Sequence, residues 1–196
     1  MMLFMDTALI PILLCIALSA AAAGSVIYHT FYNGISPMPT SPRVLREILT
    51  LVDTLKPDSE IIELGSGWGT ITLPLARRNP DCSVRAFENS PVPWLWTRIL
   101  GGFFRHKNLT IRRCDFFRES IESSEIIICY LSPSIMKRLR PKLEAELANG
   151  AYVISNTFSI PGWRPFQVIT VPDLYLSRIY LYRWPVSFIK GAEFYA

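Results

Sequence analysis

Apolar and polar positions divide the chain into three stretches. From Thr7 through Tyr28 no residue is charged, and most are Leu, Ile or Ala. A helix rising about 1.5 Å per residue over that length covers the roughly 30 Å hydrocarbon core of a bilayer. Pro11 falls in its first turns and Gly24 near its end, where membrane helices tolerate them. A cleaved signal peptide calls for a basic start, which Met1 to Asp6 lacks, although the small residues Ser19 to Gly24 resemble a cleavage site. A soluble core helix rarely runs apolar for so long. Residues 1–28 therefore predict one membrane anchor.

The second stretch, residues 29–42, holds Pro37, Pro39 and Pro42. A proline biases its predecessor away from the helical region, so an extended connector is predicted. Ser41-Pro42 then opens a helix with Val44, Leu45, Ile48, Leu49, Leu51 and Val52 at helical spacing.

The third stretch, residues 43–196, alternates short apolar strands with helical patterns. Strands are predicted at 61–64, 83–88, 109–113, 125–130, 151–156, 167–171 and 177–183. Helices are predicted at 70–78, 93–104 and 134–147, and the crossover at 115–124 is short. This alternation predicts an α/β domain with a mostly parallel sheet covered on both faces. The last two strands have no helix between them and predict an antiparallel hairpin at one edge.

Composition changes this picture little. Only 18% of residues are charged, against about 25% in an average soluble domain, and the excess apolarity is concentrated in the anchor. The formal net charge is +4. Basic clusters occur at Arg77-Arg78, Arg105-His106-Lys107 and Lys137-Arg138-Arg140-Lys142. They fit anionic headgroups or an acidic partner, and equally well solvated helix faces. No interleaving of basic and aromatic residues supports nucleic-acid binding. Asp6 is the only charge before the anchor, while Arg43 and Arg46 follow it, so the positive-inside rule puts the C-terminal domain in the cytoplasm. Cys15, Cys82, Cys114 and Cys129 form no C-x-x-C pair, which predicts a reducing compartment and no metal site.

Chemistry concentrates at Glu63-Leu64-Gly65-Ser66-Gly67-Trp68-Gly69, where a strand runs in and a helix leaves. Alternate glycines allow close backbone approach to a ligand, and the next helix offers free N–H groups. A dinucleotide turn, G-x-G-x-x-G, would place its third glycine at position 70, which here is Thr70. A pyrophosphate is thereby disfavoured, and Glu63 suits a ligand with a cationic amino-acid tail. Glu88, with Asn89 beside it, ends the second strand, where a carboxylate can accept from both ribose hydroxyls; a plain strand-end acid is the alternative. Asp115 and Phe116 follow the third strand, where Asp115 could also be a turn cap. Tyr130 and Ser132 end the fourth and could orient a substrate amine, or be a packed aromatic and a helix cap. Neither His29 nor His106 is expected in the site.

The acid-x-G-x-G-x-G pattern resembles the signature of class I S-adenosylmethionine-dependent methyltransferases. More of the chain resembles the membrane-anchored lysine methyltransferases of the ATP synthase c-subunit type and their prokaryotic relatives. That likeness rests on the apolar N-terminal helix, the connector, Leu139-Arg140-Pro141-Lys142-Leu143-Glu144, Ser155-Asn156-Thr157-Phe158 and Ile160-Pro161-Gly162-Trp163. It implies a Rossmann-like seven-stranded fold and S-adenosyl-L-methionine as cofactor, held by Glu63, Gly65, Ser66, Gly67, Gly69, Glu88 and Asn89. It implies that Asp115 accepts from the adenine amino group while Phe116 packs on the ring, and that Pro39-Thr40 closes over the site. Many amine methyltransferases carry an acid or Asn followed by prolines and an aromatic after the fourth strand; here Cys129-Tyr130-Leu131-Ser132-Pro133 stands instead. The implied activity is lysine methylation of a membrane or membrane-adjacent protein. Methylation of a lipid headgroup or hydrophobic small molecule, or a cofactor-binding scaffold without turnover, are the competing readings.

Overall fold

The structure is a computed structural model that describes residues 2–104 and 106–188, with side chains from Leu9 onward. The Asp6 side chain, Arg105 and the last eight residues of the third stretch therefore lie outside what is described below. Seven strands form one sheet: β1 (Glu60–Leu64), β2 (Ser83–Glu88), β3 (Leu109–Arg113), β4 (Ile126–Cys129), β5 (Tyr152–Asn156), β6 (Gln167–Thr170) and β7 (Arg178–Arg183). Their order is β3-β2-β1-β4-β5-β7-β6. Strands β1 to β5 are mutually parallel, and β7 runs antiparallel between β5 and β6. This is the predicted Rossmann-like sheet with its antiparallel C-terminal hairpin.

Alternation along the central strands divides the interior in two. Ile61, Ile126, Ile128 and Ile154 face one cluster, with Val44, Ile48 and Val52 of α2 (Pro42–Leu55) and Leu75 of α3 (Thr72–Arg78). Ile62, Ile127, Cys129 and Val153 face the other, with Met136, Leu139 and Leu143 of α5 (Pro133–Glu146). Successive side chains on a strand point to opposite faces, so an uninterrupted apolar run such as Ile126-Ile127-Ile128 is what a sheet covered on both sides requires. Each fully buried aliphatic side chain contributes about 1.5–3 kcal/mol of transfer free energy. The remaining crossovers are α4 (Pro91–Phe103) and a single 3₁₀ turn at Phe116–Arg118.

Two of the segments that carry the family resemblance meet in space. Glu144 on α5 accepts from Arg140 Nε at 2.6 Å and from Trp163 Nε1 at 2.9 Å. Arg140 Nη1 donates onward to the Pro161 carbonyl at 3.1 Å. A buried indole N–H and a half-buried guanidinium thus share one carboxylate, which pins the segment after β5 to α5.

The connector departs from expectation. Helix α1 runs Met2–Asn33, so residues 29–33 complete the helix rather than beginning an extended segment. Within the connector no residue before Ser36 precedes a proline, so the pre-proline restriction begins only there. Gly34, at φ +65°, ends the helix in the left-handed region. Within α1, Leu9–Asn33 is long and apolar enough to cross a membrane, with mean hydropathy 2.3 and its most apolar window unburied. Its later turns carry a partly buried stripe of Ala22, Ser25, Val26, His29, Thr30 and Asn33, and the helix packs beside α4.

Candidate functional site

The turn after β1 is built on β2. The Gly65 and Ser66 N–H groups both donate to the Phe87 carbonyl at 2.9 Å. Gly65, Gly67 and Gly69 all take positive φ, the region that L side chains avoid. At Gly69 the requirement is also spatial, since a Cβ there would sit 2.5 Å from Thr97 Cγ2 on α4. Thr97 Oγ1 in turn donates to the Gly67 carbonyl at 3.0 Å, so α4 holds the turn from outside.

Two buried carboxylates face the resulting cavity of about 360 Å³. Glu63 is 4% exposed and accepts from Thr72 Oγ1. Burial, with a smaller push from the Glu88 carboxylate, raises its pKa to about 8. Glu88 is buried at the end of β2; Oε2 accepts from Gly67 N at 2.8 Å and Oε1 from Ser90 N at 2.7 Å. Ser66 adds a buried hydroxyl with no hydrogen-bond partner of its own.

Of the residues singled out from sequence, Glu63, Gly65, Ser66, Gly67, Glu88, Asn89, Asp115, Phe116, Tyr130 and Thr40 all line this cavity. Among the described residues, Gly69, Pro39 and Ser132 are not part of its wall. Gly69 lies behind it against Thr97. Ser132 donates to the Asn33 carbonyl at 3.1 Å and lies 3.1 Å from Ser134 Oγ. Asp115 accepts from Phe117 N at 3.1 Å, capping the 3₁₀ turn while still reaching the cavity. Tyr130 stacks on Phe158, with ring centroids 6.4 Å apart. The connector straps the turn: Thr40 N–H donates to Thr70 Oγ1 at 3.2 Å, and Trp68 Nε1 donates to the Pro37 carbonyl.

Sequence reasoning missed one wall. Tyr28, His29, Tyr32 and Asn33 of α1 line the same cavity, so the expectation that neither histidine belongs to the site is corrected for His29. Its Nδ1 lies 2.9 Å from the Ser25 carbonyl one turn back, which fixes the ring within the helix. Polar and aromatic residues at helical spacing just beyond the apolar run were the available signal.

The donor set suits S-adenosylmethionine on observations independent of any relative. A buried acid raised to about 8 has no cation acting on it among the described residues, and an amino-acid ammonium would supply one. Among the described residues the Ser66 hydroxyl has no hydrogen-bond partner, and Gly65 and Gly67 leave room for a close backbone approach. Among the described residues there is no group of three or more His, Cys, Asp or Glu arranged to hold a metal ion.

Comparisons with known proteins agree. A family model described as the ANTKMT methyltransferase domain matches residues 63–167. A protein-lysine N-methyltransferase of Saccharolobus islandicus (strain REY15A) is 29% identical over 150 residues, 74% of this chain and 91% of its own length. The adenine nucleotide translocase lysine N-methyltransferase of Mus musculus is 28% identical over 174 residues, 80% of this chain and 73% of its own. ATP synthase c-subunit lysine N-methyltransferases of Rattus norvegicus, Xenopus laevis and Homo sapiens match at 24–26% identity, over 65–67% of this chain and 56–59% of theirs. Among solved structures, an RNA methyltransferase from Salinibacter ruber in complex with S-adenosyl-L-homocysteine superimposes with a TM-score of 0.66 at 26% identity, covering 78% of this chain and 97% of that one. With the glycine turn, its acids and strands β2 to β5 all inside the matched region, the chain belongs to the ANTKMT methyltransferase domain family and is an S-adenosylmethionine-dependent methyltransferase.

Proposed function

We propose that the enzyme methylates a lysine side chain of a membrane or membrane-adjacent protein. The observation that carries this reading is the α1 wall. The one described helix able to cross a membrane ends in the cavity that the glycine turn and its acids line. A methyl acceptor reaching that cavity is then brought close to the bilayer surface. Two sets of relatives are named for lysine methylation of adenine nucleotide translocase and of the ATP synthase c-subunit, which supports a protein acceptor. In this reading residues 1–28 anchor the chain, 29–42 connect it, and the domain from residue 43 faces the cytoplasm, the side to which Arg43 and Arg46 assign it.

Bound S-adenosylmethionine supplies an electrophilic methyl group on a sulfonium that leaves as a neutral thioether. Glu63 would accept from its ammonium, Glu88 would accept from the ribose hydroxyls through the lone pairs that Gly67 and Ser90 N–H leave free, and Asn89 borders the same edge. Asp115 would accept from the adenine amino group, Phe116 would pack on the ring, and the Ser66 hydroxyl would gain a partner. Gly65 and Gly67 would give the backbone its approach, Gly69 lets the turn seat against α4, and Pro39-Thr40 would close over the site. The acceptor lysine must be neutral to attack, and the apolar walls of Ile35, Phe117, Leu131 and Ile135 favour the uncharged amine by desolvation. Tyr130 orients that amine through its hydroxyl, while Ser132 acts at one remove by fixing the end of α1. Alignment of nucleophile and methyl group supplies most of the rate gain in such a displacement.

The test is mass spectrometry of membrane proteins from cells with and without the gene, together with transfer of labelled methyl groups to membranes by the purified full chain. Methyl-sized mass increments on one lysine support the reading. Label recovered only in lipid overturns it.

A further inference from the structure

Helix α4 is apolar on the side where a soluble domain should be polar. Its inward face is Pro93, Thr97 and Gly101, all buried. Its outward face is Leu95, Trp96, Ile99 and Phe103, exposed by 50, 51, 59 and 80% respectively. Residues at these positions lie on one side of a 3.6-residue helix, opposite the buried stripe. The charged side chain of α4 is Arg98, set over the Trp94 ring at 5.3 Å, and the helix carries no acid. Just past its end, Phe104 borders a surface groove with Arg77, His106 and Lys107.

We propose that α4 is a second contact with the bilayer, lying in its interfacial region with Leu95, Trp96, Ile99 and Phe103 among the upper acyl chains. The inference rests on α1 being the membrane anchor. The partly buried stripe of α1 begins at Ala22, inside its apolar run, and the helix packs beside α4. The first turns of that stripe, Ala22 to Val26, lie within the anchor, so the neighbouring face of the domain is drawn toward the bilayer. A helix of 13 residues reaches only about 20 Å and cannot span. Apolar on its outward face yet set on a folded domain, it suits the plane of the interface, where Trp is favoured. The basic residues at its rim match anionic headgroups. The contact would hold the α1 end of the cavity at a fixed height above the bilayer.

The test uses the full chain in vesicles of phosphatidylcholine with a minority of phosphatidylglycerol. The Trp96 component of fluorescence is taken as the difference between wild type and Trp96→Phe. Phosphatidylcholine brominated high on its acyl chains should quench that component about two-fold or more, as expected about 5–10 Å below the headgroups, and aqueous iodide should not reach it. Ile99→Glu with Phe103→Glu should reopen Trp96 to iodide while leaving affinity for S-adenosylhomocysteine unchanged. Loss of the chain from floated vesicles after alkaline carbonate would overturn the anchor, and the α4 contact with it. Carbonate-resistant flotation with Trp96 open to iodide overturns the α4 contact alone. Screening from both quenchers does so too, since it would indicate a covering protein or a second copy of the chain.

Discussion

Asn33, the last residue of α1, and Asn89, the first residue after β2, exchange side-chain amides across the cavity edge. Asn33 Nδ2 donates to Asn89 Oδ1 at 3.0 Å, and Asn89 Nδ2 donates to Asn33 Oδ1 at 2.7 Å. The Asn33 carbonyl, left over at the helix end, is taken by Ser132 beyond β4. The apolar helix is thus fastened to the carboxyl ends of both β2 and β4. Asn33→Leu would leave the Asn89 amide without its partner at about 1–2 kcal/mol. We expect affinity for S-adenosylhomocysteine to fall roughly 5- to 30-fold by calorimetry. Asn89→Leu should do the same, and the double variant should be less than additive. Additive losses would mean that the pair does not act as a unit.

Glu63 predicts a proton signature. Burial raises its carboxyl from 4.5 to about 8 in the free protein. The folded chain therefore keeps a proton that the unfolded chain gives up, and this group makes the free protein less stable as pH rises from about 4.5 to about 8. An ammonium placed against it reverses the shift. Binding at pH near 6.5 should then release close to one proton, seen as a dependence of calorimetric enthalpy on the buffer's ionisation heat. Glu63→Gln should abolish both the release and the downward slope of stability. Proton release that persists in Glu63→Gln would assign the titration to another group.

Much of this was legible in the chain and some was not, for identifiable reasons. Strands such as Ile126–Cys129 announce themselves because a doubly covered sheet needs unbroken apolar runs. The glycine turn is legible because backbone sterics admit few other residues. Helix ends were less so: α4 begins at Pro91, two residues before the expected Pro93, because either proline suits a first helical position. The docking of α1 onto the end of β2 was illegible, since Asn33 and Asn89 stand 56 positions apart and nothing periodic links them. Thr72 as the partner of Glu63 was missed for a similar reason, nothing in the helical pattern setting its hydroxyl apart from that of Thr70.

Gly69 separates a folding requirement from a binding one. Its φ is +74°, and an added Cβ would meet Thr97 Cγ2 at 2.5 Å, although the residue does not line the cavity. Gly69→Ala combines left-handed strain of about 1–2 kcal/mol with overpacking of about 1–3 kcal/mol. Denaturant titration should show the midpoint falling with unchanged slope. Pairing it with Thr97→Ser removes the methyl group that clashes and should recover part of the loss. No recovery would locate the cost in backbone strain alone.

Tyr130 tests how the acceptor amine is oriented. Its ring is held by stacking on Phe158, which follows Thr157, a β-branched residue at φ +69°. Such a residue is uncommon in that region and persists where its surroundings impose it. Two contacts support the bend here: Thr157 N donates to the Arg178 carbonyl at 2.7 Å, and Ser155 Oγ donates to the Phe158 carbonyl at 2.5 Å. Tyr130→Phe keeps the stack and removes only the hydroxyl. If that hydroxyl aligns the lysine, turnover should fall about tenfold, equivalent to about 1.4 kcal/mol, with affinity for S-adenosylhomocysteine unchanged. Phe158→Ala leaves the hydroxyl in place on a less constrained ring, so turnover should fall again while cofactor affinity holds. Should Tyr130→Phe retain full turnover, the ring acts only as an apolar wall, and alignment falls to the α1 residues opposite.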